Sequence, residues 1–187
     1  MEKDTLRHET LKKLKTLPDK KEASAAIVRR ILDNEKYRSA DTVLAFFPLL
    51  STEPDISSIL SDERVLLPFI ENGEMKFGKG KTEKSSLGVT LLSDATEEEY
   101  ENAVILVPLV AFDSTRLRLG RGGGYYDRYI REHREKLHSI GVAFSASYVK
   151  NIPGDSWDER LDEIITEKSP GHVLRGRGVM LRFLRFS

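Results

Sequence analysis

Residues 101–130 constrain the fold more than any other part of the chain. ENAVILVPLVAFD contains Ala103–Val107, five apolar residues without a polar interruption. A short run of that kind is the pattern of a strand buried on both faces, as in a parallel sheet covered by helices. A few residues later comes LRLGRGGGYYDRYI, in which Gly120, Gly122, Gly123 and Gly124 fall within five positions and a helical pattern begins at the tyrosines. Strand, glycine loop and helix in that order define an α/β unit. Glycine lets backbone N–H groups approach a ligand with no Cβ in the way, and a helix N-terminus adds partial positive charge. With Arg118 and Arg121 in the loop, these residues describe a seat for a phosphate chain, and Asp127 just beyond could hold an accompanying magnesium ion. No GK[ST] closes the loop, and its spacing is not GxGxxG. A flexible hairpin entering a helix, with Asp127 as a first-turn acid, is the competing reading. Paired tyrosines and three arginines within twelve residues weigh against it.

The rest of the chain extends the same architecture. Residues 3–17 read as a charged helix with Leu6, Leu11, Leu14 and Leu17 as apolar positions, stopped by Pro18. Asp19 is expected to cap a second helix carrying Ala23, Ala26, Ile27, Ile31 and Leu32 at helical spacing, ending near Asn34. Strands are expected at Val43–Phe47 and Val65–Leu67, closed by Pro48 and Pro68, with a crossover helix over Asp55–Leu60. ENGEMKFGK reads as a turn and short edge strand, and SDATEEEYEN as an acidic turn or short helix. The helix after the glycines places Tyr126, Ile130, His133 and Leu137 on one face, and strands follow at Ser139–Phe144 and Glu163–Thr166. Together these predict a three-layer αβα fold with a mostly parallel, Rossmann-like sheet.

At 187 residues the chain suits one domain. Thirty basic and thirty acidic residues balance, so no overall field draws it to nucleic acid or anionic membrane. The absence of cysteine removes disulfides, thiolate metal sites and thiol nucleophiles. Its four histidines are scattered, which argues against zinc. No apolar stretch approaches the roughly 20 residues that span a bilayer, and MEKDTLRHETLKKLK has no apolar signal core, so a cytoplasmic protein is expected. GHVLRGRGVMLRFLRFS changes character, with arginines, bulky apolar residues and no acid. A docked amphipathic segment or an untidy tail over 174–187 is favoured over a basic RNA-binding arm.

VPLVAFDSTRLRLGRGGGYYDRYI resembles the signature of the 5-formyltetrahydrofolate cyclo-ligase family, also called 5,10-methenyltetrahydrofolate synthetases. That pattern is a Pro-Gly-x-x-Phe-Asp turn followed by Gly-x-Arg-Leu-Gly-x-Gly-x-Gly-Tyr-Tyr-Asp. Pro108, Phe112, Asp113, Arg118, Leu119, Gly120, Gly122, Gly124, Tyr125, Tyr126 and Asp127 fit it. Leu109 and Arg116 depart, each replacing a glycine; at Arg116 a residue suited to positive φ is lost. The resemblance runs across residues 3 to 167. Lys3 and Arg7 resemble the family's opening pair of ATP-phosphate contacts. FFPLLSTEPDI resembles the segment that meets the folate, with Glu53 matching the pterin-binding glutamate and Pro48 on the substrate side. WDERLDEIITE resembles the closing block: Asp162 matches a second magnesium-side aspartate, with Asp158 as its neighbour, and the spacing of the pair fits one helix face. Trp157 reads as a packing residue.

The resemblance implies a NagB/RpiA/CoA transferase-like fold and an ATP- and Mg²⁺-dependent cyclisation of 5-formyltetrahydrofolate. ATP would be bound by Lys3, Arg7, Arg118, Leu119, Gly120, Arg121, Gly122, Gly123, Gly124, Tyr125 and Tyr126. Arg118 and Tyr126 would act at the reacting groups, Pro48, Glu53 and Tyr126 on the folate, and Asp127 and Asp162 on the metal. A monomer or weak homo-oligomer working on small molecules, without membrane or nucleic-acid partners, is expected. Two other readings stay open at this point. One is another ATP- or sugar-phosphate-using enzyme of similar fold; the other is a nucleotide-responsive, RNA-associated protein using the arginine-rich tail.

Overall fold

The computed structural model describes residues 2–85 and 90–168, so the expected tail lies outside the described residues. In chain order the elements are α1 (Lys3–Lys15), α2 (Lys20–Asp33), α3 (Glu35–Ser39), β1 (Thr42–Leu44), β2 (Val65–Glu71), β3 (Glu74–Lys84), β4 (Thr90–Glu97), β5 (Ala103–Pro108), β6 (Ala111–Phe112), β7 (Arg118–Leu119), α4 (Tyr125–Glu132), β8 (Leu137–Val142) and β9 (Glu163–Ile165). Seven strands form one sheet in the order β4-β3-β2-β1-β5-β8-β9, and β6 and β7 make a separate two-stranded ribbon. The pairs β1–β2, β1–β5, β5–β8 and β8–β9 are parallel; β2–β3 and β3–β4 are antiparallel. The sheet is therefore mostly parallel, as the continuous apolar run 103–107 requires: all five of those residues are buried.

Strand periodicity divides the core between the two faces. Val43, Val104, Leu106, Ile140 and Val142 join Leu14, Ile27 and Ile31 of α1 and α2 in one cluster. Leu44, Ala103, Ile105 and Val107 join Tyr129 and Ile130 of α4 and Phe77 of β3 in another. Helices on both faces complete the three expected layers.

Several local expectations give way to tertiary context. β2 continues through Pro68 to Glu71 because it pairs with β3 along Leu67–Glu71. ENGEMKFGK opens an eleven-residue strand, and Ser93–Glu97 of the acidic segment belong to β4. Those residues have low intrinsic strand preference; cross-strand pairing with β3 holds them extended. The crossover between β1 and β2 contains only a 3-10 turn at Ile59–Ser61. Helix α1 stops at Lys15. Asp19 precedes α2 with φ 55° and makes no side-chain cap, whereas Asn34 both closes α2 and accepts from Tyr37 N–H to cap α3. Helix α4 ends at Glu132, so Leu137 opens β8 instead of extending the helical face. No described helix is long and apolar enough to cross a membrane.

Candidate active site

The C-terminal ends of β1 and β5, the loops that follow them, α1, α4 and the β2–β3–β4 arm enclose a cleft of about 1030 Å³. Ligands in open α/β sheets bind outside the carboxyl ends of the strands, where the connections diverge. At one end of the cleft lie Lys3, Arg7, the glycine loop, Asp155, Trp157 and Asp158; Phe69, Ile70, Met75, Leu91 and Leu92 give the other an apolar wall.

The glycine loop owes its shape to two residues. Gly122 has φ +104° and Gly124 φ +65°, conformations that cost a residue with a Cβ. Gly124 is the residue from which α4 starts, and no side chain caps that helix. The helix therefore presents uncapped first-turn N–H groups beside the arginines, which is the arrangement an anion needs.

Arg118 is the most telling side chain. It is only 3% exposed, and its Nη2 stands 2.9 Å from Asp127 Oδ2. Neither Nε nor Nη2 makes a hydrogen bond among the described residues. The short Nη2 separation is thus a charge contact without hydrogen-bond alignment, and the donors remain unsatisfied. A buried guanidinium in that condition costs free energy until an acceptor arrives. Its guanidinium carbon lies 5.7 Å from the Tyr126 ring centroid. Burial, partly offset by Arg118, pushes the Tyr126 hydroxyl well above its ordinary 10.0, so it stays a proton-bearing donor at neutral pH.

Each of the other cations is also held by an acid. Lys3 Nζ reaches Asp155 Oδ2 at 2.6 Å and Asp158 Oδ2 at 2.5 Å. Burial opposes the ammonium, but the two carboxylates outweigh it and raise its pKa. Arg7 pairs with Asp4 and donates from Nε to the Gly120 carbonyl at 2.8 Å, tying α1 to the loop. Arg121 donates to Glu53 Oε1 at 2.9 and 3.1 Å and to Thr52 Oγ1 at 2.8 Å. Glu53 is buried, and Leu49 N–H holds its other oxygen at 2.8 Å. Four cations, each paired with one or two carboxylates, therefore line the cleft. An incoming polyphosphate would exchange with the acids, and each acid so released would be free to hold a divalent ion.

Most of the residues expected from the sequence converge here: Lys3, Arg7, Glu53, Tyr125, Tyr126, Asp127 and the whole run Arg118–Gly124 line the cleft. Pro48 stands between lining residues Phe47 and Leu49 without lining it. Asp162 lies elsewhere. Its Oδ2 accepts from Ser139 N–H at 2.8 Å and Ser139 O–H at 2.7 Å, and its Oδ1 from Arg134 at 2.7 Å. Burial alone would raise its pKa, but those bonds, Arg134 and His138 bring it below 3.8. Asp162 thus ties β9 to β8. No helix forms over residues 158–162, so the helix face expected for Asp158 and Asp162 is absent. Asp158 faces the cleft instead, and Asp127 Oδ1 accepts the adjacent Glu159 N–H at 3.2 Å. Asp127 and Asp158 suit magnesium, which usually takes one or two carboxylates and fills its shell with phosphate oxygens and water. Among the described residues no group of three acids or imidazoles forms a self-sufficient cage.

The sequence did not single out Asp155, nor the β3–β4 arm as a wall of the site. Met75 and Phe77 alternate with polar neighbours, the one available strand signal. Trp157, expected to pack, is 60% exposed.

The chain is 40% identical over 63 residues to a 5-formyltetrahydrofolate cyclo-ligase of Haemophilus influenzae, covering 33% of this chain and about a third (34%) of that protein. It is 29% identical over 184 residues to one from Mycolicibacterium smegmatis, covering 89% and 94% of the two. The NMR structure of Aquifex aeolicus 5,10-methenyltetrahydrofolate synthetase superimposes with a TM-score of 0.76 at 26% identity, over 97% of each chain. The model of the 5-formyltetrahydrofolate cyclo-ligase family matches residues 1–167, all but the last twenty positions. On that match the chain belongs to the 5-formyltetrahydrofolate cyclo-ligase family.

Proposed function

We propose that this protein converts 5-formyltetrahydrofolate and ATP into 5,10-methenyltetrahydrofolate, ADP and phosphate, as a cytoplasmic monomer or weak homo-oligomer. The observation that carries the reading is the buried Arg118, whose Nε and Nη2 make no hydrogen bond among the described residues, in the lining of a cleft shared with a glycine-rich helix start and an apolar wall. Such a cleft suits a polyphosphate at one end and a ring system at the other.

In the proposed reaction the formyl oxygen attacks the γ-phosphorus and ADP leaves. The neighbouring N–H nitrogen then attacks the activated carbon and gives up its proton to solvent, and phosphate departs with the former formyl oxygen. Phosphorylation turns a poor leaving group into a good one. Phosphoryl transfer asks mainly for alignment and charge neutralisation, so no protein nucleophile is needed. Lys3, Arg7, Arg118, Arg121 and the N–H groups of Gly122, Gly123 and Gly124 would hold the phosphates, with Gly120, Leu119 and Tyr125 shaping the loop. Glu53, once Arg121 turns to phosphate, would accept paired hydrogen bonds from a pterin. Tyr126, protonated and beside Arg118, would donate to the reacting oxygen. Magnesium held by Asp127 would neutralise phosphate charge; the position of Asp158 makes it a better second ligand than Asp162.

The test is direct. The protein is incubated with 5-formyltetrahydrofolate, ATP and Mg²⁺, and the methenyl product is followed by its near-ultraviolet absorbance. No product at high enzyme concentration would remove the proposal.

A further inference from the structure

Four described residues other than glycine have a positive φ. Three are Asp or Asn, types that tolerate it; the fourth is Arg116, at +64°. A strained backbone persists where its surroundings over-determine it, and such places concentrate at functional sites. What fixes Arg116 is Leu161. The Arg116 carbonyl accepts Leu161 N–H at 3.1 Å, and Arg116 Nε donates back to the Leu161 carbonyl at 2.9 Å. Leu161 is 1% exposed, and its side chain fills the space over Gly141 together with Leu109. Arg116 therefore grips a residue that is itself seated in the core. The family signature has glycine at this position, so the side-chain grip belongs to this chain.

The consequence lies three residues earlier, where Asp158 faces the cleft. Two of the contacts that hold its segment involve groups that ligands would claim. Lys3 Nζ, 2.5 Å from Asp158 Oδ2, would turn to phosphate, and Asp127, which accepts Glu159 N–H at 3.2 Å, would turn to the metal. Arg131, bonded to the Trp157 carbonyl and to Glu159, anchors the segment before Asp158, and Arg116 anchors it after. Neither arginine lines the cleft, so neither anchor is exchanged when ligands enter. We propose that Arg116 is a positioning residue for Asp158, an inference that rests on the Mg·ATP reading above. By fixing Leu161 it keeps the carboxylate aimed into the cleft after Lys3 has let go. A ligand held in place beforehand costs the metal less ordering, and groups that orient metal ligands tune affinity without touching the ion.

The experiment uses Arg116→Gly in the full chain, which removes the side-chain bond and leaves a residue at ease with the backbone angle. Hydrogen exchange at the Leu161 amide, measured with and without inorganic tripolyphosphate, should be faster in the variant on the order of fivefold. The Mg²⁺ concentration for half-maximal rate at saturating ATP should rise on the order of tenfold, with a smaller change in kcat. Unfolding midpoints, expected to be nearly unchanged, separate this effect from a loss of fold. In an Asp158→Asn background, Arg116→Gly should raise the Mg²⁺ requirement no further, because the two residues act as one. A wild-type Mg²⁺ requirement in Arg116→Gly, unchanged exchange at Leu161, or an equal penalty with and without Asp158 would overturn the positioning role alone. Absence of methenyl product from the wild-type protein would overturn the Mg·ATP reading, and the positioning role with it.

Discussion

Replacing Asp127 with asparagine keeps the shape of the side chain and removes one charge. The carboxylate lies 2.9 Å from a guanidinium that is 3% exposed, and is itself 19% exposed. Removing one partner of a buried pair costs about 3–5 kcal/mol, because the remaining charge stays in a poor solvent. The asparagine carbonyl keeps part of the dipole and can still accept from Glu159 N–H, now 3.2 Å away. A loss of about 3 kcal/mol is therefore expected. For a chain of this size each kcal/mol shifts the melting temperature by roughly 2–4 °C, so Tm should fall by about 6–12 °C. Inorganic tripolyphosphate should stabilise the variant more than the wild type, since it replaces the missing charge without displacing a carboxylate. At a hundredfold excess over Kd, a ligand contributes about 2.7 kcal/mol. Turnover should fall on the order of a hundredfold, the scale of removing one oriented charge from the reacting site. Thermal melts with and without tripolyphosphate, beside the absorbance assay, check all three. A Tm within about 2 °C of wild type and equal tripolyphosphate sensitivity would refute Asp127 as the counter-charge of Arg118.

Other perturbations separate site from scaffold. Asp158→Asn should cut turnover on the order of tenfold or more with a small change in Tm, whereas Asp162→Asn should lower stability by about 1–3 kcal/mol and leave kcat nearly unchanged; paired kinetics and denaturant titrations decide, and the reverse pattern would restore Asp162 as the functional acid. Arg116 holds φ +64° while its Nε donates to the Leu161 carbonyl at 2.9 Å. Glycine there relieves about 1 kcal/mol of backbone strain and loses a bond of similar value, so Arg116→Gly should stay within about 1 kcal/mol of wild type, while β-branched Arg116→Val should cost about 2 kcal/mol or more; urea midpoints test both. Arg64, reinforced by Tyr37, outweighs burial and lowers Asp62 from 3.8 to about 2. Its stabilisation is present above pH 3.8 and is lost as the pH falls through about 2. That contribution is roughly 2 kcal/mol, and Asp62→Asn should flatten this part of the acid limb in unfolding experiments at constant ionic strength.

The α/β architecture was legible because burial on both faces leaves a mark in a single strand: Ala103–Val107 can be satisfied only between two layers. The glycine loop was legible for a similar reason, since Gly122 and Gly124 occupy conformations that other residues adopt at a cost. The β3–β4 arm was not. GKGKTEK and SDATE carry little strand propensity, and their extended form depends on hydrogen bonds to partners distant in sequence. The closing acids were misplaced for a related reason. Spacing of four suggests a helix face, but residues 157–162 run as an irregular segment held by Lys3, Arg131, Arg116 and Ser139.

The sequence by itself determined the layered sheet and the glycine-shaped loop that leads into α4, because each depends on local covalent geometry or on simple apolar periodicity. The tertiary structure alone decided that Arg118 is buried with unsatisfied donors, that Lys3 and Arg121 pair with acids distant in the chain, that Asp158 faces the cleft while Asp162 fastens two strands, and that Trp157 stays exposed. Charge strength and solvent access depend on what lies nearby in space, and the contacts that set them join residues as much as 155 positions apart.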